Sequence, residues 1–236
     1  KDFMIDEYQF YEAKAMGENL VSFFKTEVAA GRLPKNLLPL QSGVGSVANA
    51  VINGLVNSDF EDLTVFTEVV QDGMFDLIDA GKLRVCCGTA LSPSPDCLKK
   101  FYANVEKYKK YIVLRPQEVA NSPELARRIG VIAMNTAIEV DIYGNVNSTH
   151  IAGTKLMNGI GGSGDYARNG FLTVFFTTSL AKGGAISSVV PFCSHVDHTE
   201  HDVDVIVSER GVADLRGLSP KERALVIIDK VANPKY

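Results

Sequence analysis

Between residues 36 and 129, apolar runs of strand length alternate with segments of helical period, and glycine or proline separates them. N36-L-L-P-L-Q41, D62-L-T-V-F-T-E68, K82-L-R-V-C-C87 and Y111-I-V-L114 read as strands. Segments 47–56, 74–80, 96–110 and 122–129 read as the helices between and after them, with Asp72 placed to cap the second and Gly81 to end it. Strands this apolar bury both faces, so the alternation predicts a sheet covered by helices. A long helix over residues 6–31 precedes it, with Phe10, Ala13, Leu20, Phe23 and Phe24 on its apolar side. Gly31 closes that helix, and Pro34 and Pro39 keep it from restarting.

From residue 131 the rhythm changes. Segments 131–143 and 146–150 flank Gly144-Asn145, a two-residue hairpin signal. Strands follow at 171–177, 185–190 and 203–208, then a capped helix from Ser219 to about Lys230. The expected fold is α/β, one mixed sheet flanked by helices, parallel in its first half and antiparallel-rich in its second. No internal repeat or low-complexity linker interrupts the 236 residues.

Composition narrows the function. At 46% hydrophobic and 22% charged the chain can bury a core, and a net charge of −4 carries no basic footprint for nucleic acid. The longest apolar runs, such as F171-L-T-V-F-F176, are far too short to span a bilayer. Four cysteines without C-x-x-C spacing predict reduced thiols in a cytoplasmic protein. No signal or transit segment is expected, and an opening Lys1 suggests one domain of a larger protein.

The stretch N158-G-I-G-G-S-G-D-Y-A-R-N169 contains a literal G-x-G-x-x-G. A dinucleotide fingerprint needs a full helix after the loop and an acid about 20 residues on. Only a short polar segment separates Gly164 from Gly170, and no acid lies between Asp165 and Asp197, so the dinucleotide reading fails. Five glycines between 159 and 170 still suit a backbone that approaches a ligand closely, against the plain alternative of a tight turn. S42-G-V-G-S-V-A-N49 has the same two readings, a strand–helix turn or an anion site at a helix N-terminus. Glu68 ends an apolar strand at the edge where ligands of open α/β sheets gather, although most acids at such turns are merely solvated. C193-S-H195-V-D-H198-T-E-H201 offers metal-ligand types, but it precedes a strand and lacks helical i, i+4 spacing, so a polar loop is expected and no metal.

L40-Q-S-G-V-G-S-V-A-N49, T67-E-V-V-Q-D72, E139-V-D-I-Y-G-N-V-N-S-T-H150, the glycine stretch above and H198-T-E-H-D-V-D-V-I-V-S-E-R-G-V-A-D-L-R-G217 together resemble the acetyl-CoA hydrolase/transferase family. These are class I CoA-transferases of the succinyl-CoA:acetate and 4-hydroxybutyrate type, and the likeness runs from about residue 15 to the end. Their fold has two α/β domains, of which this chain resembles the second. The resemblance implies that Glu68 attacks an acyl-CoA thioester and carries CoA as a glutamyl thioester. It implies that the Val44 and Gly162 N–H groups meet the oxyanion, with Leu40, Gln41, Ser42, Gly43 and Gly161 beside them in the substrate and CoA contact set. Asn121 and Glu209 match polar positions near the acyl group, Lys182 a CoA contact, and Ile138 a hydrophobic wall. Acyl-CoA and a small carboxylate are the implied substrates, with no cofactor beyond coenzyme A as substrate and no metal. A homodimer with the N-terminal domain is the implied assembly. Acetyl-CoA hydrolysis, or a non-catalytic CoA-binding or assembly domain, are the competing functions.

Overall fold

The computed structural model describes residues 7–236, and the side chains of 11–45 and 47–236. Residue 6, the expected start of the first helix, lies outside the described residues, as does the Phe10 side chain.

Eight strands form one sheet: β1 (Leu40–Ser42), β2 (Leu63–Phe66), β3 (Leu83–Gly88), β4 (Ile112–Leu114), β5 (Ile132–Thr136), β6 (Leu172–Phe176), β7 (Val205–Ser208) and β8 (Gly211–Asp214). Their spatial order is β8-β7-β6-β5-β1-β2-β3-β4. Every neighbouring pair is parallel except β7 with β8. The sheet is therefore mixed, but only by one edge strand, and the second half supplies more parallel strands than its hairpin signal predicts. The cause is in β6, whose five residues are all buried: a strand covered on both faces belongs inside a parallel sheet. Antiparallel pairing goes instead into two-residue ribbons beside the main sheet, at 139–141 with 146–147, 150–151 with 155–156, and 180–181 with 186–187.

Period-two alternation divides the core between the two faces. Leu172, Val174 and Phe176 of β6 and Val205 and Val207 of β7 join the cluster under α1 (Glu7–Ala29), α2 (Ser46–Val56) and α3 (Asp72–Asp79). Phe175 and Ile206 point the other way, toward Val140, Ala213 and Ile227 of α9 (Pro220–Lys230). Each fully buried side chain of this size contributes about 1.5–3 kcal/mol. Ala13, Leu20 and Phe24 of α1 are fully buried as the helical period predicts. Helices α1 and α2 touch at Gly17 and Gly54, where a Cβ on Gly54 would lie 2.9 Å from Gly17 backbone.

Several boundaries move for local reasons. The strand expected from residue 36 starts at Leu40, because Leu37 adopts φ 57 and Pro39 has no N–H for the ladder. Asp72 does not cap α3: it is the first helical residue, and its carboxylate accepts the Ser94 N–H at 2.7 Å. The helix expected over 96–110 breaks at Asn104 into α4 (Pro95–Ala103) and α5 (Val105–Tyr108). Ser122 does cap α7 (Pro123–Ile129), and a short α6 (Gln117–Ala120) lies just before it. The 131–150 segment is two elements, β5 and then a hairpin with a four-residue loop. Asp141 pins that loop by accepting the N–H groups of Tyr143, Gly144 and Asn145 at 3.0–3.1 Å. The strand expected at 185–190 divides at Ser188, whose carbonyl accepts the Val140 N–H. All four cysteines are free thiols. Among the described residues no helix is long and apolar enough to cross a membrane.

Candidate active site

β2 ends at Phe66, and the chain bends at Glu68 before Val69-Val70 pairs with Ala90-Leu91. The bend is fixed from both sides. Thr67 is 0% exposed, its N–H donating to the Cys87 carbonyl and its hydroxyl to the Ser42 carbonyl at 3.1 Å. The Glu68 carbonyl accepts the Thr89 N–H at 2.7 Å. A half-buried carboxylate thus stands on rigid backbone at the C-terminal end of a parallel strand.

Glu68 Oε2 accepts a hydrogen bond from the Gly162 N–H at 2.8 Å. Gly162 precedes α8 (Ser163–Asn169) with φ −82, a conformation open to any residue. A Cβ there would nevertheless lie 2.3 Å from both Glu68 Oε2 and Asn121 Nδ2. Close approach, not backbone freedom, is what demands glycine here. The loop that fails as a dinucleotide fingerprint closely approaches the chain's own Glu68 carboxylate.

Asn121 is 5% exposed, and its side-chain nitrogen and oxygen are both buried without a hydrogen-bond partner. An amide desolvated in this way costs free energy unless something meets it. Tyr166 underpins it by donating its hydroxyl to the Ala120 carbonyl, while burial and the nearby Glu68 charge push the phenol pKa up.

The second glycine loop reaches the same place from β1. Gln71 Nε2 donates to the Gly43 carbonyl at 2.7 Å, and its Oε1 accepts the Gly45 N–H at 2.8 Å. Gln71 is 3% exposed, so this bracket is shielded from water. Between the bracketed groups sits Val44, 62% exposed, whose N–H meets no acceptor among the described residues. Gly45 takes φ 123, which side chains rarely adopt. Ser42, Gly43, Val44, Glu68, Ile138, Gly161 and Gly162 line one cavity of about 480 Å³.

Other expected residues fall differently. Gln41 lines the cavity, but its amide pairs with that of Asn135 at 2.9 and 3.1 Å, tying β1 to β5. Leu40 is wholly in the core. Glu209 follows β7, four strands from β2, and accepts the Ser179 N–H at 2.9 Å and the Ser179 hydroxyl. Lys182 is exposed at the tip of the 180–187 ribbon. Glu209 and Lys182 do not line the cavity, and neither does Asn121, which is buried behind Gly162. Gln71 was quoted in the sequence only as part of a motif, and no local signal marks it, since its partners Gly43 and Gly45 lie 28 and 26 residues away.

The histidine stretch divides. His195 Nε2 lies 3.2 Å from Asp197 Oδ1, and its ring stacks on His150 at 3.8 Å between centroids. These three could hold a cation, their candidate atoms lying within 4.8 Å of one another, but Asp197 also clasps the Ser148 N–H and the Thr149 hydroxyl. His198 stands apart, 3% exposed, with its Nε2 3.2 Å from Ser163 Oγ. A larger groove of about 790 Å³ runs along α1 and α2, but its charges pair with each other, as Lys25 does with Asp59 at 2.7 Å. The smaller cavity, which holds Glu68 and both glycine loops, is the candidate site.

The α/β sheet thus sets a fixed carboxylate at a strand end, in one cavity with backbone donors from two glycine loops, an arrangement able to stabilise an oxyanion. Residues 98–236 match the acetyl-CoA hydrolase/transferase C-terminal domain, and the chain belongs to this family. It is 62% identical, over 95% of its length, to a succinyl-CoA:acetate CoA-transferase from Clostridium kluyveri, of which it covers 42%. It is 52% identical, again over 95%, to an acetyl-CoA hydrolase from Neurospora crassa, covering 43% of it. The crystal structure of RipA from Yersinia pestis superposes with a TM-score of 0.75 at 25% identity, over 100% of this chain and 51% of that one. The chain thus spans less than half the length of these two curated relatives.

Proposed function

We propose that the protein carrying this chain transfers CoA from an acyl-CoA, succinyl-CoA or acetyl-CoA, to a small carboxylate such as acetate, with Glu68 as the covalent carrier. The Glu68 carboxylate attacks the thioester carbonyl, and CoA leaves as the thiolate, giving an acyl–glutamyl anhydride. The thiolate attacks the glutamyl carbonyl, and the donor carboxylate departs. A glutamyl-CoA thioester remains. An acceptor carboxylate then attacks it, CoA thiolate leaves again, and return of the thiolate to the new acyl carbonyl regenerates Glu68.

The observation that carries this reading is the Glu68–Gly162 hydrogen bond at 2.8 Å beside two groups that lack partners, the Val44 N–H and the Asn121 amide. Each attack puts negative charge on a former carbonyl oxygen, and fixed donors are what that charge needs. In this reading Gly162 serves the glutamyl oxygen and Val44 the substrate's, while the buried Asn121 amide backs Gly162 from outside the cavity lining. A carboxylate is a weak nucleophile, so positioning carries much of the rate.

Val44, Met157 and Ile160 give the cavity an exposed apolar rim. An anhydride must be kept from water. In the complete protein the rim is covered by further chain, an N-terminal half and a second copy being the partners that the resemblance implies. Lys182 and Glu209 take their expected roles only in that assembly, since neither faces the cavity here.

Relatives named hydrolases make water the competing acceptor. CoA release from acetyl-CoA and succinyl-CoA, measured with and without acetate or succinate, separates the two. Transfer predicts acceptor-dependent turnover with parallel double-reciprocal plots. Equal release without any carboxylate contradicts it.

A further inference from the structure

The buried histidine of the 193–201 stretch has no part in the steps above, yet it touches the loop that holds Glu68. His198 is 3% exposed, its ring stacked on Phe175 at 4.8 Å between centroids. Its backbone is fixed against Val146, donating and accepting at 3.1 and 2.8 Å. The ring thus stands on one cluster of the core and cannot swing without disturbing it. Its Nε2 lies 3.2 Å from Ser163 Oγ, and Ser163 Oγ donates to the Ile160 carbonyl at 2.7 Å. A serine hydroxyl has one proton. With that proton on the Ile160 carbonyl, Ser163 has only a lone pair for His198, so the ring must donate from Nε2–H.

This order of donors has a consequence for Glu68. Ile160 and Ser163 bracket Gly161 and Gly162, the two residues of the turn before α8. Gly161 has φ 57, and neither glycine has a side chain to anchor it. The Gly162 N–H that holds Glu68 Oε2 therefore takes its direction from the hydroxyl that closes the turn, and the hydroxyl takes its own from the imidazole. We propose that His198, as the neutral Nε2–H tautomer, is a positioning residue that aims the Gly162 N–H at Glu68 through Ser163. The proposal rests on the reading of Glu68 as the carrier of CoA.

The test uses the complete protein and three substitutions. His198→Phe keeps the stack on Phe175 and removes the donor; His198→Gln replaces the donor with an amide N–H; Ser163→Ala removes the relay. Appearance of a CoA adduct on the Glu68 peptide is followed by rapid quench and mass spectrometry, with steady-state kcat and KM alongside. His198→Phe is expected to slow adduct formation and kcat by about a hundredfold, the cost of a misplaced group near the chemistry, with little change in KM. His198→Gln should recover most of that loss. Because both act through one hydroxyl, His198→Phe with Ser163→Ala should be no slower than the slower single variant. A structural role alone would instead leave kcat intact well below the melting temperature, or multiply the two losses; either result overturns the proposal. Absence of any adduct in the unsubstituted, active protein refutes the Glu68 reading itself. An adduct that forms as fast in His198→Phe refutes only the role of His198.

Discussion

Gly162 is the residue on which the site geometry turns. A methyl group there would occupy the space of Glu68 Oε2 and Asn121 Nδ2, so Gly162→Ala pushes both aside and breaks the 2.8 Å bond. Loss of one such donor costs about a hundred- to a thousandfold in kcat. The expected result is that loss with a smaller change in KM, checked by steady-state kinetics; unaltered kcat would show that the contact is incidental. Glu68→Asp should fail almost as completely as Glu68→Ala, since a carboxylate withdrawn by one methylene misses both the donor and the thioester. His198 makes a prediction in pH. Burial first, and then the Arg168 charge, hold its pKa below the ordinary 6.5, against the raising effect of Asp197 and Asp202. A histidine lowered in the fold adds stability that is complete above the unfolded value and is lost as pH falls through the lower folded one. Melting temperature should therefore fall from about pH 6.5 downward, and less steeply in His198→Phe.

Among the elements, most helices and the strands themselves were legible because their signals are local, whereas the parallel pairing of the second half was not. The apolar runs at 62–68, 82–87 and 171–177 each became a strand, and Ser219 caps α9 as the sequence predicts, with Glu222 completing the capping box. What could not be read was which strands become neighbours. Nothing near Ile132 says that it lies between Leu40 and Leu172, because that register is set by burial on both faces at once. The same limit applies to the site. Glu68, Val44 and Gly162 could be named, but the bracket that Gln71 forms, and the amide of Asn121 left unpaired behind Gly162, exist only once distant segments meet. One such meeting closes α1 onto the far edge of the sheet: Glu27 accepts from Arg32 and Arg216 at 2.6–3.0 Å and is 1% exposed. Arg32, then Arg216, hold its pKa down to about 2 from 4.5, against the cost of burial. That stability is present above pH 4.5 and is lost as pH falls toward 2. Glu27→Gln should lower unfolding free energy by roughly 3 kcal/mol at neutral pH and flatten the acid limb of a denaturation series.

For the whole molecule, the mixed sheet gathers three strand ends and two glycine loops at one edge, α8 starts from the second loop, and the long helices bury the faces behind them. That edge presents a carboxylate and two backbone donors, with the buried Asn121 amide behind Gly162; the proposed transfer uses the carboxylate as a nucleophile, whereas hydrolysis would use it as a base for water. Transfer needs the covalent step on Glu68; an architectural domain needs none. The direct measurement is incubation of the complete protein with acyl-CoA, proteolysis, and mass spectrometry of the peptide containing Glu68. A CoA adduct on Glu68 that acetate or succinate discharges is the predicted result. An adduct on another residue, or none from an active preparation, would contradict the account.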